Sequence, residues 1–125
     1  MEENRKIPYA TWTVNGTEYK LKLTTAAITK LEEQFKTNLL NLVASGNIPA
    51  LLIMLKITHA AMQKYHHGIK ERDVQDLFDQ YLEEGGSQTV FMTDVFMPIY
   101  QASGFFSAEM AETMTDRLDE AKDMM

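Results

Sequence analysis

Cysteine is absent from this sequence, which excludes a disulfide framework, a thiolate nucleophile and a cysteine-ligated zinc site. Positive charge is scarce: twelve Lys and Arg face eighteen Asp and Glu, a net charge of -6. Such a balance repels phosphate backbones, so nucleic acid is not an expected partner. Long apolar runs are also missing. The longest, Ile48 to Met62, is interrupted by Lys56 and His59 and falls short of the ~20 residues that cross a bilayer, so it reads as core. The opening MEENRKIPYA lacks the apolar centre of a secretory signal, and no export or membrane address is expected.

Chemical motifs are equally thin. No Gly-rich phosphate loop, Walker-type lysine or nucleophile elbow occurs. His59, His66 and His67 are the only histidines, and two turns of helix set the first pair ~10 Å apart, too far for one metal ion. His59 reads instead as a partly buried helix residue, and His66 with His67 as a favourable helix C-terminus. Asp73, Asp76 and Asp79 lack the Gly-containing turn of a calcium loop and read as a solvated face. The pairs Glu32-Glu33 and Glu83-Glu84 point in different directions from a helix and read as exposed charge. The expectation is a non-enzymatic chain with no catalytic, metal or cofactor site.

What is present suits a single folded domain. At 125 residues, 45% hydrophobic and 24% charged, the chain can bury roughly two-thirds of the surface its unfolded form exposes. The predicted class is mostly α: about five to six helices with an N-terminal β-hairpin at about 9–23, a helical body over 25–104 and a C-terminal helix over 107–125. The hairpin is the sharpest local feature. Trp12, Val14, Tyr19, Leu21 and Leu23 alternate with Thr11, Thr13, Glu18, Lys20 and Lys22 around Asn15-Gly16, a pair that tolerates the positive φ of a type I′ turn. A lone hairpin is marginal in water, so its apolar face must rest on the helices or pair with a neighbouring subunit.

Thr24 or Thr25 can cap a helix carrying Ala27, Ile28, Leu31 and Phe35, and a short helix follows over Asn38 to Ala44. The third helix, about Pro49 to His66, is apolar nearly all round and is the expected centre of the fold. A fourth spans about Lys70 to Glu84 before Gly85-Gly86. Ser87 opens a fifth, which Pro98 should kink and Gly104 should end.

Nine methionines are generous for this length, and four lie in the last nineteen residues. Met110, Met114 and Leu118 fall at i, i+4 and i+8 against an acidic remainder. Flexible thioethers suit loosely specified apolar partners. With Phe105 and Phe106 just before them, these are the candidate partner-binding residues; packing of the stripe on its own domain is the alternative.

The wording TVNGTEYKLKLTTAAITKLEEQF, then KYHHGIKERDVQDLFDQYLEEGGSQT, then YQASGFF resembles the tail assembly chaperones of long-tailed phages and prophages of Gram-positive bacteria. The likeness covers about Tyr9 to Phe106, and its motifs are structural: a hairpin, a Gly-Gly helix stop and an aromatic ending. The resemblance implies a chaperone that holds the tape measure protein until tail-tube subunits polymerise around it, acts in the cytoplasm of the bacterial host and is absent from the mature virion. It also implies self-association, with the tail tube protein as a further candidate partner. The role of the Met stripe comes from the residue pattern and not from the resemblance. Two other readings compete: a small helix-turn-helix regulator, which requires a basic recognition helix that Lys70 to Glu84 does not provide, and a structural tail protein.

Overall fold

The computed structural model describes residues 8–44 and 46–106. Over them the chain is mostly helical with one antiparallel hairpin at its N-terminal end, as the residue pattern predicts. The helix expected over 107–125 lies outside the described residues. Strands β1 (Ala10–Val14) and β2 (Thr17–Leu21) pair with Trp12 opposite Tyr19 and Val14 opposite Thr17. Asn15 and Gly16 both take positive φ, 51° and 79°, as a type I′ turn requires. Ala10, Trp12 and Val14 are buried, and the intervening Thr11 and Thr13 are exposed.

The hairpin rests on the helices of its own chain, which settles where its apolar face goes. Four backbone N–H groups are taken by residues far along the sequence: Asn15 by Glu84 Oε1 (3.1 Å), Lys20 by His66 Nε2 (3.0 Å), Lys22 by the Ala61 carbonyl (2.9 Å) and Leu23 by Ser103 Oγ (2.9 Å). Lys20 and Lys22 belong to the outward edge of β2 and to its continuation. An open strand edge invites pairing with other chains, and here those two donors are already used internally.

Helix α1 (Thr25–Phe35) starts where Thr24 Oγ1 accepts the Ala27 N–H. The side chain of Glu32 reaches forward to accept the Leu39 N–H at 2.8 Å, so this half-buried carboxylate shapes a turn instead of facing water as expected. Helix α2 is shorter than predicted, Asn41–Ala44, because the chain enters it through tight i→i+3 turns, Asn41 N to Asn38 O and Leu42 N to Leu39 O, with Asn38 Oδ1 also accepting the Asn41 N–H.

The central helix α3 is also shorter than predicted, Leu51–Met62 rather than Pro49 to His66. Its C-terminal carbonyls find other partners, which removes the incentive to continue. Gln63 Nε2 donates to His59 O, Gln63 N to Ala60 O, Lys22 N to Ala61 O, and Tyr65 N and His66 N to Met62 O. His66 therefore sits in the turn beyond the helix. Helix α4 (Glu71–Glu83) opens with Asp73 accepting the Lys70 N–H at 2.9 Å, so Asp73 is a cap and not part of a solvated face. Its end is closed by Gly85 N to Leu82 O and Gly86 N to Tyr81 O, a Schellman pattern. A Cβ on Gly86 would collide with the Tyr81 ring.

Ser87 Oγ accepts the Val90 N–H and starts the last helix, which changes its winding twice: α5 (Gln88–Phe91), a π-helical segment (Met92–Phe96) and α6 (Met97–Ala102) follow without a break. Counted as one, they make five helices. Pro98 lacks an N–H, and its ring would press on the carbonyl four residues back in a regular helix. The wider π turn upstream opens room for that ring, so the expected disturbance takes the form of an altered winding.

The core centres on rings. Trp12 meets Tyr81 and Phe91 edge-on at 5.8 and 5.1 Å, and Phe78 meets Phe91 at 5.2 Å, joining β1, α4 and α5. Tyr100 is fully buried, and its hydroxyl donates to the Leu39 carbonyl at 2.8 Å. Among the described residues, Trp12 Nε1 is a buried donor without a hydrogen-bond partner.

Candidate protein-binding surface

Phe105 and Phe106 are half-buried and pack on the core, and the Phe105 ring lies 4.7 Å from that of Tyr100. Much of their apolar area is already used by their own domain. Met110, Met114 and Leu118 lie outside the described residues.

Another apolar face is visible that the sequence reading passed over. Leu52 is 58% exposed, and Ile48 (46%) and Leu82 (42%) lie on the chain just before α3 and near the end of α4. Leu51, Leu52 and Leu55 border a groove of about 320 Å³ whose other wall is Gln75 and Asp79. Leu82 follows Gln75 and Asp79 at i+7 and i+3, on the same side of α4. The pattern of α3 hid this face. A helix apolar all round reads as buried all round, yet Met54, Ile57, Thr58, Ala61 and Met62 are the fully buried members, and Leu52 is left outside.

The margin of this face is acidic. Over Glu71–Glu83 helix α4 carries five carboxylates against Arg72, and Glu71, Asp76, Asp79 and Glu83 are exposed. That charge pattern is the reverse of a DNA recognition helix.

Farther along α3 the chemistry inverts. Between α1 and α3 lies a cleft of about 280 Å³ lined by Lys30, Lys56, Lys64, His59 and Gln63 over an apolar floor of Ala27, Leu31 and Ala60. Glu71 is the acid that borders it among the described residues, and Lys56 Nζ holds Glu71 Oε1 at 3.0 Å. That hydrogen bond, more than the opposing effect of burial, keeps the Glu71 carboxyl below its usual value. Lys56 and Glu71 also border the leucine side, so this ion pair separates the two surfaces.

His59 and His66 are committed to structure. His59 Nε2 lies 2.9 Å from the Ile69 carbonyl, which can only accept, so this nitrogen carries the hydrogen. His66 Nε2 presents its lone pair to Lys20 N–H, and its ring meets Tyr19 edge-on at 5.3 Å. Sequence spacing missed these roles, because both partners come from distant segments. Burial, and then the charge of Asp94, raise the Tyr81 phenol above its ordinary value; burial and then Glu32 do the same to Tyr100 more strongly. Among the described residues no group of three or more His, Asp or Glu is placed to hold a metal ion, and no helix is long and apolar enough to cross a membrane.

A family model described as "Family of unknown function (DUF6096)" matches residues 7–123. No curated protein and no solved structure matches the chain.

Proposed function

The chain belongs to the DUF6096 family, whose function is unknown, and for this member we propose a non-catalytic assembly chaperone that holds the tape measure protein of a long-tailed phage while the tail is built. The observation that carries this reading is the exposed leucine groove between α3 and α4 with its acidic margin. Leu52 and Leu82 are about half exposed, so covering each contributes only part of the ~1.5–3 kcal/mol of a fully buried leucine, which suits a reversible partner. The groove suits an amphipathic helix that lays apolar residues at i, i+3 or i+4, and i+7 against the leucines and sets Lys or Arg against Asp76, Asp79 and Glu83. The long, helical, aggregation-prone tape measure protein that the resemblance implies as partner would offer such a helix.

The resemblance to tail assembly chaperones supplies the partner's name, and the groove supplies a surface for it. In this reading the chain acts in the bacterial host, associates with further copies of itself and leaves before the particle is complete. Co-expression tests it: the tape measure protein stays in the supernatant with the wild-type chain and pellets when Leu52→Glu and Leu82→Glu are introduced together. Equal insolubility with and without the wild-type chain overturns the proposal, and recovery of this chain from purified virions points to a structural tail protein instead.

A further inference from the structure

The cationic cleft has a continuation that gives it a direction. A second hollow, of about 510 Å³, lies where the end of α6 meets the exit of the hairpin, and it shares Thr24 and Lys64 with the first. One trough thus runs from Phe106 past Lys22 and Lys64 to Lys30 and Lys56, with Leu31 and Ala60 in its floor. Four lysines on one side are unexpected in a chain of net charge -6. The surplus of acid is located elsewhere: Ser107 to Met125 contain six carboxylates against Arg117 and Lys122, a net -4, which leaves only -2 for residues 1–106.

From these observations we propose that the lysine trough is a docking site for the chain's own last nineteen residues, 107–125. Three properties support this occupant over an unrelated one. The charges are complementary, -4 against Lys22, Lys30 and Lys64, with Lys56 already paired to Glu71. Phe106, the residue from which the segment departs, itself lines one end of the trough. The reach is sufficient, because nineteen residues span at least about 28 Å even at helical rise, against about 16 Å for the eleven residues of α1 beside the cleft. Met110, Met114 and Leu118 bring apolar side chains to the Ala27, Leu31 and Ala60 floor, and the carboxylates meet the lysine rim. Such docking is electrostatic and reversible, and it keeps the Met stripe from other apolar surfaces until it is released. It does not depend on what the leucine groove binds.

The absence of cysteine permits a clean test on the full chain. Gln34, exposed at the cleft, is replaced as Gln34→Cys and carries a nitroxide, while the methionine methyl groups are observed by NMR in isotopically labelled protein. At low salt the Met110 and Met114 methyl signals are expected to be broadened by the nitroxide. They are expected to recover at about 1 M salt, where the screening length falls to about 3 Å. They should also recover when Lys30→Glu and Lys64→Glu are combined. Unchanged shifts of the buried Met54 and Met62 confirm that these variants remain folded. Met110 and Met114 signals that ignore the nitroxide at low salt overturn the proposal. Broadening of nitroxide-free, isotopically labelled chain by nitroxide-bearing unlabelled chain also overturns it, by assigning the trough to the segment of a second copy.

Discussion

At the N-terminal end of α3, Leu51, Leu52 and Leu55 look across to the carboxylates of α4; one to three turns later Lys56, His59 and the following Lys64 look across to α1. Both ends belong to the same apolar helix, and their backs rest on the same core of Met54, Ile57, Ala61 and Met62. The difference lies in what each neighbour supplies. Helix α4 brings acid to a leucine surface, α1 brings Lys30 to a lysine surface, and the Lys56–Glu71 ion pair stands between them. Two surfaces of opposite charge therefore share one helix, with an ion pair where they meet.

The largest effect comes from removing the support common to both. Phe91→Ala empties the ring cluster of Trp12, Phe78 and Tyr81 and is expected to destabilise the chain by about 3–5 kcal/mol, abolishing both surfaces in a thermal or denaturant melt. Tyr100→Phe is expected to be milder, about 1–3 kcal/mol, because the Leu39 carbonyl loses its buried donor. Tyr100 and Tyr81 also contribute to the alkaline limb of stability. With the folded phenols of Tyr81 and Tyr100 raised above the unfolded value near 10, their contribution is fully present below about pH 10 and is lost as pH rises through the folded values. Melts of the wild-type chain should weaken above that pH, and less steeply in Tyr100→Phe.

The comparison itself is sharpened by Leu52→Glu with Leu82→Glu. Both side chains are substantially exposed, so stability should change by no more than about 0.5 kcal/mol per site. Partner affinity should fall at least about tenfold, equivalent to about 1.4 kcal/mol, as read by titration calorimetry. The smallest effect is expected from Glu71→Gln, which removes an exposed ion pair of the kind that contributes about 0–1 kcal/mol. The lowered Glu71 carboxyl gives stability that is present above its unfolded value and lost as pH falls through the lowered one, so the variant should flatten the acid limb slightly.

Local patterning made much of the fold legible. Asn15-Gly16 between alternating runs placed the hairpin, Thr24 or Thr25 and Ser87 marked helix starts, with Thr24 proving to be the cap, and Gly85-Gly86 marked a stop, because each depends on residues close in sequence. The shortened α3 was not legible, since its last carbonyls are taken by Lys22 and by the Gln63 side chain. The structural roles of Glu32, His66 and Glu84 depend on folded contacts in the same way. Pro98 signalled a disturbance but not its form as a π-helical segment. The leucine groove was hidden for a different reason: the apolar character of α3 was clear, but which of its leucines lacks a neighbour depends on where α1 and α4 pack.

The central claim, that this chain grips another polypeptide through the face between α3 and α4, is tested most directly by amide hydrogen exchange on its complex with the tape measure protein. Slowed exchange concentrated at residues 51–55 and 75–82, lost when Leu52→Glu and Leu82→Glu are combined, is the predicted result. A stable complex whose protection falls elsewhere and leaves those residues unchanged would contradict it.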